Sequence, residues 1–189
     1  MKLALLVSLG LLGAAFASCG SDDTSDATGA SKNLATYEGN GITFQFPKEF
    51  RTSKSITSTN PGAANKLWET AIGLTADDGV FLTGYQLKTA ITPENFEQYY
   101  KILVEETVGG TPRAAKVTVP PSALKVNALP AFQFSVEGEL RPGVATRNRA
   151  ISVYFNTTQV FVSCQVRDEK NATKVDAACD SVLATLRVE

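Results

Sequence analysis

Apolar and polar residues alternate along much of the chain, which is the pattern of β-strands buried on one face. The alternation is clearest at residues 132–136, and residues 42–46 repeat it up to Pro47. Further strands are predicted at 68–74, 80–88, 117–119, 124–129, 151–155 and 160–166, with 48–64 irregular and Pro120-Pro121 ending the strand at 117–119. Turn signals join the neighbours at Asp78-Gly79, Arg141-Pro142-Gly143 and Asn156-Thr157-Thr158, so the sheet is predicted to be mainly antiparallel.

Two other segments repeat their apolar residues at helical spacing. The first follows Thr92-Pro93, a capping hydroxyl and a proline suited to the first helical position, and ends at Gly109-Gly110. The second begins after Asp168, which can cap it, and extends to about Leu186. These elements predict an α+β domain in which a mainly antiparallel β-sheet is covered by a central and a C-terminal helix.

The N-terminus predicts export and lipid anchoring. Lys2 precedes an apolar run at residues 3–16, which is too short to span a membrane but typical of a secretory signal. The sequence Phe16-Ala17-Ser18-Cys19-Gly20 resembles a lipobox, and the small polar residues that follow are typical of a flexible spacer. We therefore predict a lipoprotein signal peptide at 1–18, a lipidated Cys19 and flexible polar tether at 19–36, and a folded domain at 37–189. An ordinary signal with a chance cysteine, or a short buried helix, is the alternative.

The cysteine count predicts one disulfide. Three cysteines occur, and lipidation of Cys19 leaves Cys164 and Cys179 in an oxidising compartment. Cys164 shares a strand face with apolar neighbours, and Cys179 shares a helix face with Val175 and Val182. Both faces are expected to pack together and bring the two thiols into contact. Two buried free thiols are the alternative.

Composition removes several classes of function. The chain has no histidine, which excludes a Ser-His-Asp triad, a Cys-His dyad and any His-ligated zinc site. The formal charge is −1, from 18 basic and 19 acidic residues, and this balance argues against nucleic-acid binding. We therefore predict no catalytic residue, no metal ligand and no cofactor.

Candidate polar sites have simpler interpretations. Asp77-Asp78 lacks the alternating carboxylates of a calcium loop, so we interpret it, with Gly79, as turn chemistry. Glu105-Glu106 is interpreted as a solvated helix face. Asn171-Ala172-Thr173 matches a glycosylation acceptor, and in a bacterium the match is interpreted as accidental.

Three further features are candidate binding surfaces. Phe96, Tyr99 and Tyr100 would either line a ligand pocket or pack in the core, and we favour packing. The long loop around Asn60-Pro61-Gly62 would either form a binding lip or simply connect two strands, and we favour the connection. Lys48, Arg51 and Lys54 give the region after the first strand a weak positive charge. This charge would face anionic lipid headgroups or a partner.

Three stretches resemble the PsbP-like α/β/α sandwich family. Residues 37–47 (YEGNGITFQFP) resemble the opening strand of these domains, and residues 181–188 (SVLATLRV) resemble their terminal helix. Residues 126–131 (VNALPA) resemble the x-G-x-P-A start of their long hairpins, with Ala128 in place of the usual glycine. The resemblance covers residues 37–188 and reports the ends of strands and helices rather than chemistry.

A lipobox followed by such a domain is similar to the LpqN-type lipoproteins of actinobacteria. That resemblance implies a cell-envelope protein of a family whose domains are mostly binding or assembly modules. The expected function is a non-enzymatic lipoprotein on the extracytoplasmic face of the cell membrane, whose domain binds an envelope protein partner. The alternative is a carrier of a lipid or other apolar ligand in a cavity between sheet and helices. An enzyme that uses only carboxylate, Ser, Tyr or Lys groups is a third hypothesis.

Overall fold

Strands form most of the chain that the computed structural model describes, which comprises residues 33–53, 64–110, 115–141 and 143–189. The elements in order are β1 (Leu34–Gly39), β2 (Ile42–Pro47), β3 (Arg51–Ser53), β4 (Lys66–Gly73), β5 (Gly79–Ile91), α1 (Phe96–Gly109), β6 (Ala115–Val126), β7 (Leu129–Arg141), β8 (Val144–Val166), a 3₁₀ turn (Glu169–Asn171), α2 (Ala172–Thr185) and β9 (Arg187–Val188). The predicted lipidation site Cys19 lies outside the described residues. β1 begins three residues before the boundary expected at Tyr37.

The strands form two sheets. The larger has the order β3-β4-β5-β8-β7-β6 and the smaller has the order β1-β2-β9. The neighbouring strands pair in antiparallel register in both sheets. For β1–β2, β4–β5, β6–β7 and β7–β8 this arrangement follows from the short turns between sequence neighbours, since a tight turn joins antiparallel strands.

The long strand β8 folds back on itself at Asn156, whose φ is 49°. Asn148 Nδ2 donates to Ser163 Oγ at 2.7 Å, although 15 residues of one extended strand would separate them by about 50 Å. Gln159 also donates to the Ser152 hydroxyl, at 3.0 Å. The first arm pairs with β7 and the second with β5. The turn predicted at residues 156–158 is therefore confirmed.

The larger sheet lies between the two helices. On the first arm of β8, Ile151 and Val153 pack in the cluster that contains the buried face of α2. The alternating residues Ala150 and Tyr154 pack on the other side, in the cluster that contains the buried face of α1. The smaller sheet adds Phe44 to the α2 side, where its ring stacks on a tyrosine of β1. These layers confirm the predicted α+β class with two covering helices.

Three predicted boundaries are wrong. Pro120-Pro121 does not end a strand, because β6 is the last strand of its sheet and continues through the prolines with two register shifts. Residues 124–129 are not one strand: residues 124–126 end β6, Asn127 and Ala128 form a turn with φ of 48° and 69°, and Leu129 begins β7. Part of the stretch expected to be irregular forms β3. No helix among the described residues is long and apolar enough to cross a membrane.

The start of α1 also differs from the prediction. The helix begins at Phe96, after a turn in which Asn95 Oδ1 accepts from the Thr92 amide at 2.8 Å. Phe96 N also donates to Thr92 O, at 3.0 Å. Thr92 therefore closes a turn through its backbone groups instead of capping the helix through its hydroxyl.

Candidate functional site

A polar depression lies where the turn between β4 and β5 meets the segment that leads into α2. Its volume is about 630 Å³, and it is open to solvent along one side. Residues 75–78 form one wall and residues 167–171 form the other. Two loops that are far apart in sequence are therefore joined at one surface.

Asp78 joins the two loops. This residue is buried, with only 3% of its surface exposed. Oδ1 accepts from the backbone amides of Arg167 at 2.7 Å and Asp168 at 3.0 Å. Oδ2 accepts from the Asn171 amide at 3.0 Å and from the Thr75 hydroxyl at 2.8 Å. One carboxylate thus accepts four hydrogen bonds. One comes from Thr75 in its own turn, and three come from residues 167–171 in the opposite wall.

Burial raises the pKa of Asp78, but the hydrogen bonds from the Asp168 and Arg167 amides, Thr75 and Asn171 outweigh burial. The pKa therefore lies below its ordinary value of 3.8. At neutral pH the group is ionised, and its oxygens are engaged by protein donors. This arrangement suits a structural anion and leaves Asp78 poorly placed to transfer a proton.

The rim of the depression is a series of paired charges. Arg167 forms a salt bridge with Asp77, and Lys170 forms one with Asp168. The hydrogen bond with Lys170 lowers the pKa of Asp168, and the same bond raises the pKa of Lys170. The side chain of Glu169 between them is exposed. The surface thus presents charges of both signs, and most of them are paired with one another.

Local sequence explains how each wall forms. The Thr75 hydroxyl accepts from the amides of Asp77 at 3.2 Å and Asp78 at 3.0 Å, which closes the turn. Asp168 accepts from the Lys170 amide at 3.2 Å and caps the 3₁₀ turn before α2, close to its predicted capping role. Turn chemistry at Asp77-Asp78 is therefore confirmed. The bonds across to residues 167–171 were not predicted, because no single-sequence pattern marks contacts over about 90 residues.

The predicted disulfide lies beside the depression. Cys164 of β8 and Cys179 of α2 are bonded, with their Cα atoms 5.9 Å apart, and both residues are buried. Cys164 pairs across the sheet with Val80, two residues after Asp78. The bond therefore attaches α2 to the sheet next to the carboxylate that fastens the start of the same helix.

The other end of α2 has its own fastening. Asn127 Nδ2 donates to the carbonyl of Leu186 at 2.8 Å and lies within 3.3 Å of two more carbonyls in the last turn. Two ion pairs also join the outer surface of α2 to β8, Arg147 to Asp176 at 3.1 Å and Arg149 to Asp180 at 2.7 Å. Sequence reasoning missed these contacts, although the spacing of both arginines and both aspartates fits one strand face and one helix face.

The other candidate residues that the structure describes pack in the core, are exposed to solvent or form local contacts. Phe96 and Tyr100 of α1 pack against Tyr154 and Phe132, with ring centroids 5.9 Å and 6.0 Å apart, so core packing is confirmed. Glu105 and its neighbour are exposed on α1. Lys48 and Arg51 are exposed, and the Asn171 side chain donates a hydrogen bond to Asp78. Lys54 and the predicted turn at 60–62 lie outside the described part of the chain.

Solved structures with a similar arrangement of elements show what kind of domain this is. The solution structure of cyanobacterial PsbP (CyanoP) from Synechocystis sp. PCC 6803 matches with a TM-score of 0.52 and 13% identity, covering 92% of this chain and 98% of that one. The domain has a PsbP-like fold. No protein-family model and no curated protein sequence matches the chain.

Two other solved structures also match this chain. A crystal structure from Bacteroides thetaiotaomicron matches with a TM-score of 0.50 and 10% identity, covering 83% of this chain and 48% of that one. The Ran-binding protein Mog1p of Saccharomyces cerevisiae has a TM-score of 0.47 and 13% identity, covering 82% of this chain and 95% of that one. At these identities the comparisons define the fold alone.

Proposed function

We propose that the chain is a non-enzymatic lipoprotein of the cell envelope, similar to the LpqN type. In this proposal Cys19 carries the lipid, and the PsbP-like domain stands on the extracytoplasmic side of the membrane. The domain binds an envelope protein partner through the depression formed by residues 75–78 and 167–171. The signal-like N-terminus, the lipobox and the polar spacer support the anchor.

The pre-ordered charge pattern of the depression is the observation that carries the binding proposal. Both walls are fixed by Asp78, and the rim pairs Arg167 with Asp77 and Lys170 with Asp168. A surface that is ordered before binding loses little conformational entropy when a partner docks. A pattern of charges of both signs selects a partner of complementary pattern more than it adds affinity.

The chemistry of Asp78 favours binding over catalysis at this surface. A general base needs a free lone pair within reach of substrate, and both oxygens of Asp78 accept bonds from protein donors. A carrier function has weaker support, because the aromatic residues of α1 that suggested it fill the core. Native mass spectrometry with organic extraction tests that alternative directly, since a reproducible lipid adduct would favour the carrier.

Site-specific photo-crosslinking in cells tests the binding proposal. A benzophenone amino acid replaces Glu169 on the rim, and in a matched strain it replaces Glu97 on the exposed side of α1. We expect one reproducible adduct with an envelope protein from position 169 and none from position 97. The same adducts from both positions, or no adduct from position 169, would contradict docking at the depression.

A further inference from the structure

Four polar side chains are buried together on the sheet face that carries α1. Thr146 and Asn148 lie on the first arm of β8, and Ser163 and Gln165 lie on the second. All four are less than 9% exposed. A sheet face that packs in a core normally carries apolar residues, so a polar group of this size needs partners for its hydrogen-bonding atoms.

Two atoms of this polar group have no hydrogen-bond partner among the residues that the structure describes. Asn148 Nδ2 donates to Ser163 Oγ at 2.7 Å, and Gln165 Nε2 donates to a carbonyl of the β4–β5 turn at 2.8 Å. Asn148 Oδ1 and Thr146 Oγ1 remain unpaired, and each belongs to a residue that is 6% exposed. Turning the Asn148 amide over would leave its nitrogen unpaired instead, so either orientation leaves one polar atom unsatisfied.

Strand geometry places Thr146 and Asn148 close enough for one small polar molecule to reach both side chains. Thr146 and Asn148 are two residues apart on one strand, which sets their side chains about 6.7 Å apart. One water bound to both atoms at about 2.8 Å joins oxygens that are at most about 5.6 Å apart, so the Thr146 and Asn148 side chains have to lean toward each other from the strand spacing. The residue opposite Thr146 on β7 is Gly138, which has no side chain to fill the space.

We infer that one ordered internal water binds between Thr146 Oγ1 and Asn148 Oδ1. The water donates one hydrogen bond to the amide oxygen of Asn148 and forms a second with the hydroxyl of Thr146. Both unpaired atoms then have a partner. The water lies on the sheet face formed by β7 and the two arms of β8. It therefore belongs to the fold and stays in place whether the depression is empty or occupied.

Two measurements test this site. The first is the thermal midpoint of the full lipidated chain in detergent, for Thr146→Val and for the control Thr118→Val on the exposed side of β6. Valine keeps the shape of threonine, so removal of a hydroxyl that binds water should lower the midpoint of Thr146→Val by about 2–4 °C relative to the control. If the hydroxyl binds nothing, valine removes an unsatisfied polar atom, and an equal or raised midpoint overturns the inference.

The second measurement is a high-resolution crystal structure of the chain. We expect a single water peak within hydrogen-bond distance of both atoms in the wild type and its loss in Thr146→Val. A protein side chain or backbone group in that position, or continuous apolar packing, would overturn the inference whatever the thermal result.

Discussion

Replacing Asp78 with asparagine tests whether one buried carboxylate fastens α2 to the β4–β5 turn. The substitution keeps the size of the side chain and one acceptor oxygen but removes the charge. Oδ1 receives two backbone amides, from Arg167 at 2.7 Å and Asp168 at 3.0 Å, and these bonds depend on the charge for part of their strength. Oδ2 becomes an amide nitrogen facing Thr75 and Asn171, whose side chains can turn to accept from it.

The expected loss follows from the number of bonds that change. Hydrogen bonds to a charged group contribute about 1.5–3 kcal/mol each, and neutral ones contribute about 0.5–1.5 kcal/mol. Two backbone bonds that become neutral therefore cost about 2 kcal/mol in the free energy of unfolding. In a domain of this size that corresponds to a thermal midpoint lower by about 4–8 °C.

The pH dependence provides a second readout. The folded pKa of Asp78 is lowered, so its contribution to stability is fully present above the unfolded pKa of about 3.9 and is lost as the pH falls through the folded value. Urea unfolding of wild type and Asp78→Asn should therefore differ at neutral pH and converge as the pH falls below about 4.

The control is Asp180→Asn, which removes a carboxylate from an ion pair in which Asp180 is 66% exposed. An exposed pair contributes roughly 0–1 kcal/mol, so its midpoint should stay within about 3 °C of the wild type. A midpoint for Asp78→Asn equal to that of Asp180→Asn, with an unchanged acid limb, would refute the reasoning about the fastening.

Three further substitutions test other parts of the fold. Ala128→Gly should raise the thermal midpoint by about 2–4 °C, because residue 128 has a φ of 69° that glycine adopts without strain. Cys164→Ser should lower the free energy of unfolding in urea by about 3 kcal/mol, because the bond to Cys179 closes a loop with a sequence separation of 15. Gly84→Ala should cost about 1–3 kcal/mol and shift the emission of Trp68 to longer wavelength, because the added Cβ would overlap its indole ring.

Each of these predictions has a control or a contradicting result. For Gly84→Ala the control is Gly109→Ala, where the new Cβ meets no atom within 4 Å and the emission should not change. A lower midpoint for Ala128→Gly would mean that the turn gains nothing from glycine. Equal urea curves for wild type and Cys164→Ser, or for wild type with and without reductant, would contradict a stabilising disulfide.

The strands and helices could be predicted because burial on one face leaves a periodic record in the sequence. Phe132 and Phe134 alternate with polar residues along β7, and the turn at Asn156 has the residue type that tolerates a positive φ. The disulfide followed from the same logic, since two apolar faces that pack together carry their cysteines with them.

The predicted element boundaries are wrong where tertiary contacts override a local sequence signal. Pro120 reads as a strand end, but the outer side of the edge strand β6 needs no donor, so proline is tolerated there. Thr92 reads as a helix cap, but the Asn95 side chain takes the Thr92 amide and delays the helix by one turn.

The candidate site could be predicted only in part. Asp78 carried a turn signal and Asp168 carried a cap signal, and both roles are present. Nothing local connects the two positions, because their contact depends on β5 pairing with the second arm of β8. The unpaired atoms of Thr146 and Asn148 are equally invisible in the sequence, where both residues lie outside the predicted strand at 151–155.

The mass of the mature chain, purified from cell membranes, tests the central proposal of a lipid-anchored extracytoplasmic domain most directly. We expect a chain that begins at Cys19, carries acyl chains such as palmitate on that residue, and is lighter by two hydrogen atoms for the bond between Cys164 and Cys179. A Cys19→Ser chain should lack the acyl mass and leave the membrane fraction. A chain that retains residues 1–18, or that begins elsewhere with an unmodified Cys19, would contradict the anchor and the proposed function that depends on it.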